Sequence, residues 1–210
     1  MNRRDFIAAT AFVCCGAASA SSQVILVLGD SLSAEYGLAR GTGWVALLEQ
    51  RLAQEGMQAA VVNASISGDT SSGGRARLPA LLKEHQPTHL VLELGSNDAL
   101  RGLPLQSTED NLKAMTQLAQ TAGAQVLLIG MQVPPNYGAD YGRQFAALFA
   151  TVAKAQDAAL VPFLLKNVAD GAEPERLFQK DRIHPSAEAH PIMLDNVWQH
   201  LQPLLHAPAS

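Results

Sequence analysis

"VILVLGDSLS", residues 24–33, runs from five consecutive apolar residues into Gly-Asp-Ser. Five apolar residues without polar alternation describe a strand buried on both faces, and Gly-Asp-Ser has the composition of a turn leaving its carboxyl end. Ser31 is then either a turn residue or a nucleophile held at the edge of a sheet. Which of the two holds depends on what the rest of the chain brings to that edge.

Outward from this stretch, short Val-, Leu- and Ile-rich runs recur at Ala59–Val62, Leu90–Leu94, Val126–Ile129 and Leu160–Phe163. Segments with helical spacing lie between them. Trp44, Leu47, Leu48 and Leu52 repeat at three and four residues, and Gly74–Glu84, Tyr141–Gln156 and Ser186 to about Leu204 read as further helices. Ser107, with Asp110 three positions on, reads as the cap of a helix that ends near Gly123. Strand and helix alternate five times, and the strands are apolar throughout. That pattern predicts an α/β domain with a five-stranded parallel sheet covered by helices on both sides. The longest irregular stretches are Ile66–Gly73, Gly95–Leu105, Gln132–Gly138 and Lys166–Asp181. The first three, with Gly29–Gly43, leave carboxyl ends of strands, where such sheets open their binding crevice.

In a parallel sheet Ser31, Gly68 and Asn97, each just past one of the first three strands, share that edge by construction. A serine hydroxyl needs a base to take its proton, and the base needs an orienting acceptor. Asp181-Arg182-Ile183-His184-Pro185 offers both, because a three-residue spacing lets Asp181 hold one ring nitrogen of His184 while the other faces Ser31. Pro185 is expected to start the last helix and fix His184 at its mouth. The Ser31 and Gly68 N–H groups and the Asn97 side-chain amide are donors of the type a tetrahedral oxyanion requires. Each piece also has a plain reading. Gly-Asp-Ser is usually a turn, Gly68 suits any left-handed position, Asn97-Asp98 suits a cap, and a lone histidine is more often structural.

Taken together, "VLGDSLS", "NASISGDTSSGG", "LELGSNDALRG" and "DRIHP" resemble, in this order, the four blocks of the SGNH, or GDSL-type, hydrolases, in particular their thioesterase I, lysophospholipase and arylesterase branch. The resemblance spans roughly Val24 to Leu205. It implies a flavodoxin-like three-layer α/β/α sandwich. It further implies Ser31 as nucleophile, His184 as base, Asp181 as its acid, and Ser31, Gly68 and Asn97 as the oxyanion hole. Substrates implied are carboxylic esters and thioesters, with no metal and no cofactor. Ser96 and Arg182 depart from it, standing where close relatives often carry glycine. Leu103, Pro104, Leu105, Pro134, Pro135 and Tyr137 either line an acyl groove or pack on one another as loop anchors.

With 210 residues, 48% hydrophobic and 16% charged, the chain has the makings of one sizeable core. A net charge of -4 without clustered Lys and Arg argues against a nucleic-acid partner. Arg3-Arg4, the apolar Phe6–Ala18 and the small-x-small Ala18-Ser19-Ala20 read as an export signal, with residues 21–210 as a single domain. The Arg-Arg-x-Phe-Ile run favours the twin-arginine route over general secretion. A transmembrane anchor needs about 17 to 25 apolar residues, more than this run has. Both cysteines, Cys14 and Cys15, lie in the leader, so cleavage after Ala20 leaves a periplasmic or secreted monomer without a thiol.

Three rival readings stand beside this one. A metal-dependent hydrolase built on His184 and His190 lacks a compact ligand spacing, and an α/β-hydrolase would place its serine in G-x-S-x-G, where Ser33 here replaces the last glycine. An exported binding module on the same sheet lacks the lysine of a phosphate loop. A carbohydrate deacetylase of the same family is the alternative enzyme.

Overall fold

The computed structural model of the chain describes residues 23–171 and 173–206; the expected export segment lies outside them. β1 (Gln23–Gly29), β2 (Ala59–Asn63), β3 (His89–Glu93), β4 (Gln125–Ile129) and β5 (Ala159–Val161) form one parallel sheet in the order β2-β1-β3-β4-β5. α1 (Trp44–Gln54) packs on α6 (His190–His206), while α2 (Ser71–His85), α4 (Leu105–Thr121) and α5 (Ala139–Ala155) lie side by side. The crossover from β1 to β2 runs opposite to the one from β2 to β3, so right-handed connections put α1 and α2 on opposite faces. Three layers result, as expected. Ile25 to Leu28 and Leu90 to Leu92 are buried, since helices cover both sides of the sheet.

Element boundaries differ from expectation where a local contact outweighs periodicity. α2 begins three residues before Gly74, because the Thr70 hydroxyl accepts the Gly73 N–H at 3.3 Å and caps it. α4 begins at Leu105 behind Pro104, whose ring sets the entry φ of -58°, so Ser107 sits inside the first turn and caps nothing. Residues 95–105 are not wholly irregular, for they contain the short helix α3 (Ser96–Leu100).

The expected role of Pro185 is also corrected. Pro185 is bridged to Phe178 in extended pairing, and the Ser186 N–H donates to Leu177 O at 2.8 Å. One short 3-10 turn (Ala187–Ala189) follows, and Pro191 takes the first turn of α6 instead.

Chain order reverses between β1 and β3. Their carboxyl ends are adjacent, with Gly29 opposite Glu93, and the loops leaving them diverge. This is the switch point at which sheets of this kind bind ligands.

Candidate active site

Ser31 sits inside the turn that follows β1, two residues past Gly29. Asp30 makes that turn by accepting the Leu32 N–H on Oδ1 at 3.0 Å and the Ala34 N–H on its carbonyl at 3.0 Å. Ser31 Oγ lies 2.9 Å from His184 Nε2, and His184 Nδ1 lies 2.6 Å from Asp181 Oδ2. Asp181 Oδ1 also accepts the backbone N–H groups of Ile183 and His184, both at 3.0 Å. The intervening Arg182 is left-handed, with φ of +58°, which aims both N–H groups at one oxygen. Partial burial works to raise the Asp181 carboxyl, but the His184 and Ile183 hydrogen bonds outweigh it and hold the pKa at about 2. Asp181 is therefore an anion at neutral pH.

Two residues that sequence reasoning missed steady this pair. The Tyr36 ring lies against His184 with centroids 4.3 Å apart. Gln179 donates its Nε2 to Tyr36 O at 2.8 Å and to Pro185 O at 3.0 Å, its N–H donates to His184 O at 2.8 Å, and its carbonyl accepts the Arg182 N–H at 2.9 Å. Neither residue has a sequence signal, since each acts through contacts between distant loops.

On the other side of Ser31 lie the expected donors. Among the described residues, neither the Ser31 nor the Gly68 N–H donates to a protein acceptor. Gly68 is left-handed at φ of +79°, a conformation a side chain would strain, and Arg101 Nη2 donates to its carbonyl at 2.7 Å. Asn97 Nδ2 donates to Asp30 Oδ2 at 2.9 Å and to Asp69 O at 3.0 Å. Both of its hydrogens thus have acceptors, and giving one to an oxyanion means sharing a bond. Asp98 ties the same two loops, accepting the Ser71 N–H at 2.8 Å and its hydroxyl at 2.5 Å.

A cavity of about 630 Å³ opens at Ser31, Asn97 and His184. Its apolar wall comes from Met131, Val133, Pro134 and Pro135 after β4, and Phe163 and Leu165 after β5. Of the six candidate groove residues only Pro134 and Pro135 line it. Leu105 packs on the core, and Leu103 and Tyr137 are exposed, because α3 and the turn at Pro135–Tyr137 carry them off the cavity. Phe163 reads in the sequence as the end of a strand, yet β5 ends at Val161, and Leu165 lies in the turn beyond it.

His190 does not join His184. It is buried and accepts the Trp44 N–H on Nδ1 at 2.9 Å. Among the described residues no group of three His, Cys, Asp or Glu is placed to hold a metal ion, and no helix is long and apolar enough to cross a membrane.

Residues 27–192 match the GDSL-like lipase/acylhydrolase family. "Esterase TesA" of Pseudomonas aeruginosa is 52% identical over 186 residues, covering 89% of this chain and 91% of that protein. "Thioesterase 1/protease 1/lysophospholipase L1" of Escherichia coli K12 is 43% identical over 188 residues, covering 90% and 88%. The crystal structure of the psychrotrophic esterase EstA from Pseudoalteromonas sp., inhibited by monoethylphosphonate, superposes with a TM-score of 0.82 at 38% identity, covering 88% of this chain and all of that one. Sheet order, loop placement and these matches agree, and the chain belongs to the GDSL-like lipase/acylhydrolase family, a hydrolase of ester bonds.

Proposed function

We propose that Ser31, His184 and Asp181 cleave carboxylic esters and thioesters of apolar acyl groups through an acyl-enzyme. The observation that carries this is the continuous relay from Ser31 Oγ to His184 Nε2 at 2.9 Å and from His184 Nδ1 to Asp181 at 2.6 Å. Ser31 Oγ attacks the carbonyl carbon as His184 Nε2 takes its proton. The carbonyl oxygen becomes an anion beside the Ser31 and Gly68 N–H groups and the Asn97 amide. Collapse breaks the bond to the leaving alcohol or thiol, which departs with the proton from His184. Water then gives its proton to His184, attacks the acyl-serine and releases the carboxylic acid, restoring Ser31.

The apolar wall beyond Ser31 supports an acyl chain rather than a sugar as the group held. The names of the relatives support esters, thioesters and lysophospholipids as the range. The relay and cavity lie within one chain, which supports action as a monomer. Ser31→Ala is expected to lower hydrolysis of p-nitrophenyl butyrate by several powers of ten, and His184→Gln likewise. Loss of less than about tenfold in Ser31→Ala would remove Ser31 from the mechanism.

Residues 1–20, in this reading, carry the enzyme out of the cytoplasm and are removed after Ala20. An exported enzyme meets lipid esters rather than cytosolic acyl-CoA, so lysophospholipids are its favoured substrates. Protein recovered from the periplasm or medium should begin at Ser21. A chain retaining Met1 in that fraction would overturn the export reading.

A further inference from the structure

Behind the nucleophile turn lies a carboxyl that the mechanism above does not use. Glu93, the last residue of β3, is fully buried. Its Oε2 accepts the Asp30 N–H at 3.2 Å and the Ser33 hydroxyl at 2.8 Å, and Trp44 Nε1 in turn donates to Ser33 Oγ at 3.2 Å. Its Oε1 is buried without a hydrogen-bond partner among the described residues. A carboxylate with one orphaned oxygen in a dry core is costly, and a well-packed apolar residue would usually be more stabilising there. The second carboxyl beside it, Asp30, is also buried. Two adjacent anions in such a site cannot both persist, so the pair holds one proton.

Which member holds it follows from the partners. Asp30 receives the Leu32 N–H on Oδ1 and the Asn97 amide on Oδ2, and it also faces His184, all of which favour its charged form. Glu93 faces Asp30 and no cation, and burial together with that neighbour pushes its carboxyl well above the usual range. Asp30 is itself pushed up by burial to about 6, less far because of those donors. The proton therefore rests on Glu93, and Asp30 carries the charge.

That charge has a geometric effect. The two ends of an asparagine amide are almost equal in shape, and only their neighbours decide which end points where. An anionic Asp30 can only accept, as can the Asp69 carbonyl, so the two together fix nitrogen rather than oxygen of Asn97 on the Ser31 side. A neutral Asp30 could donate instead, and would then favour the reversed amide against the Asp69 carbonyl, leaving the two neighbours in conflict over which end of Asn97 they hold. We propose that Glu93 is a positioning residue for the oxyanion site: it holds the Asp30 N–H and, as the neutral member of the pair, keeps Asp30 the acceptor that works with the Asp69 carbonyl to hold the Asn97 amide in its donating orientation.

This rests on the reading of Asn97 as an oxyanion donor, and four variants test it: Glu93→Gln, Glu93→Leu, Asn97→Ala and the Glu93→Leu/Asn97→Ala double variant. Hydrolysis of p-nitrophenyl butyrate supplies kcat and KM, and thermal melting checks the fold. Glutamine is neutral like the protonated acid and keeps an oxygen to accept from the Asp30 N–H and the Ser33 hydroxyl. Glu93→Gln is therefore expected to keep kcat within about threefold. Glu93→Leu should lose about 10² in kcat, close to Asn97→Ala, with KM nearly unchanged. The double variant should lose little more than Asn97→Ala alone, because both act through one amide.

A loss above thirtyfold in Glu93→Gln overturns the proposal even if Glu93→Leu fails to fold, for it would mean a charged Glu93 is needed. Additive losses in the double variant, or an active Glu93→Leu, overturn it equally. If Ser31→Ala is inactive while Glu93→Gln fails, only this inference falls; if Ser31→Ala stays active, the reading beneath it falls.

Discussion

Arg182 occupies a place where the backbone wants a glycine. Its φ of +58° lets Asp181 collect two N–H groups, and the side chain is exposed beside the cavity. A non-glycine residue in this region stores about 1 kcal/mol or more. Arg182→Gly should relieve it, less the greater freedom of glycine in the unfolded chain, for a net gain of roughly 0.5 kcal/mol. Thermal melting decides the matter: a lowered Tm would mean the guanidinium contributes more contact than the strain removes. The three-residue spacing of Asp181 and His184 was legible because an aspartate and histidine so placed meet across a turn. Glu93 was not legible, since a single acid at the end of an apolar run acquires meaning only once β1 is known to lie beside β3. The paired role of Asp30 was half legible. Its turn-forming Oδ1 follows from Gly-Asp-Ser, whereas its hold on Asn97 by Oδ2 needs the same strand order.

Helix α1 begins without a side-chain cap of its own, since Gly43 precedes Trp44. Its first N–H is satisfied from α6, by His190 Nδ1 at 2.9 Å. The ring must be neutral to accept there, and burial lowers its pKa to about 4 against the opposing pull of Glu35 and the Pro185 carbonyl. Below about 6.5 the unfolded chain binds a proton at His190 that the native state refuses until about pH 4. Stability from this contact is thus full above 6.5 and falls as pH drops through that window, by about 3 kcal/mol at most. Asp30 acts in the opposite sense, because its raised pKa makes the native state the better proton binder between about 4 and 6. The bare profile therefore mixes two slopes, and His190→Asn, whose amide oxygen caps without titrating, separates them. The melting temperature of the wild type should fall relative to that variant between pH 7 and 4.5. An unchanged difference would mean that the ring is not a neutral cap. At this scale the sequence was read well for strands, whose apolar runs have no other use, and less well for helix starts. Thr70, Pro104 and Pro191 decide those starts through single contacts that no periodicity carries.

Over the whole molecule, three of the expected site residues come from the sheet edge and two from one late segment. Ser31, Gly68 and Asn97 leave β1, β2 and β3, so their meeting follows from strand order. Asp181 and His184 lie between Phe178 and Pro185, which are bridged to each other. The proposed acid and base are thus closed into a loop of their own before the chain enters α6. In an evolutionary or engineering recombination, any crossover upstream of Phe178 delivers base and acid together, already aligned by the Asp181 bonds to Ile183 and His184. Only one distance, that from His184 to Ser31, has to be found again by the joined parts, and Tyr36 and Gln179 sit at that seam. Chimaeras that import the late segment should therefore inherit the proposed base and acid as a single part and fail, where they fail, at the seam with the first loop.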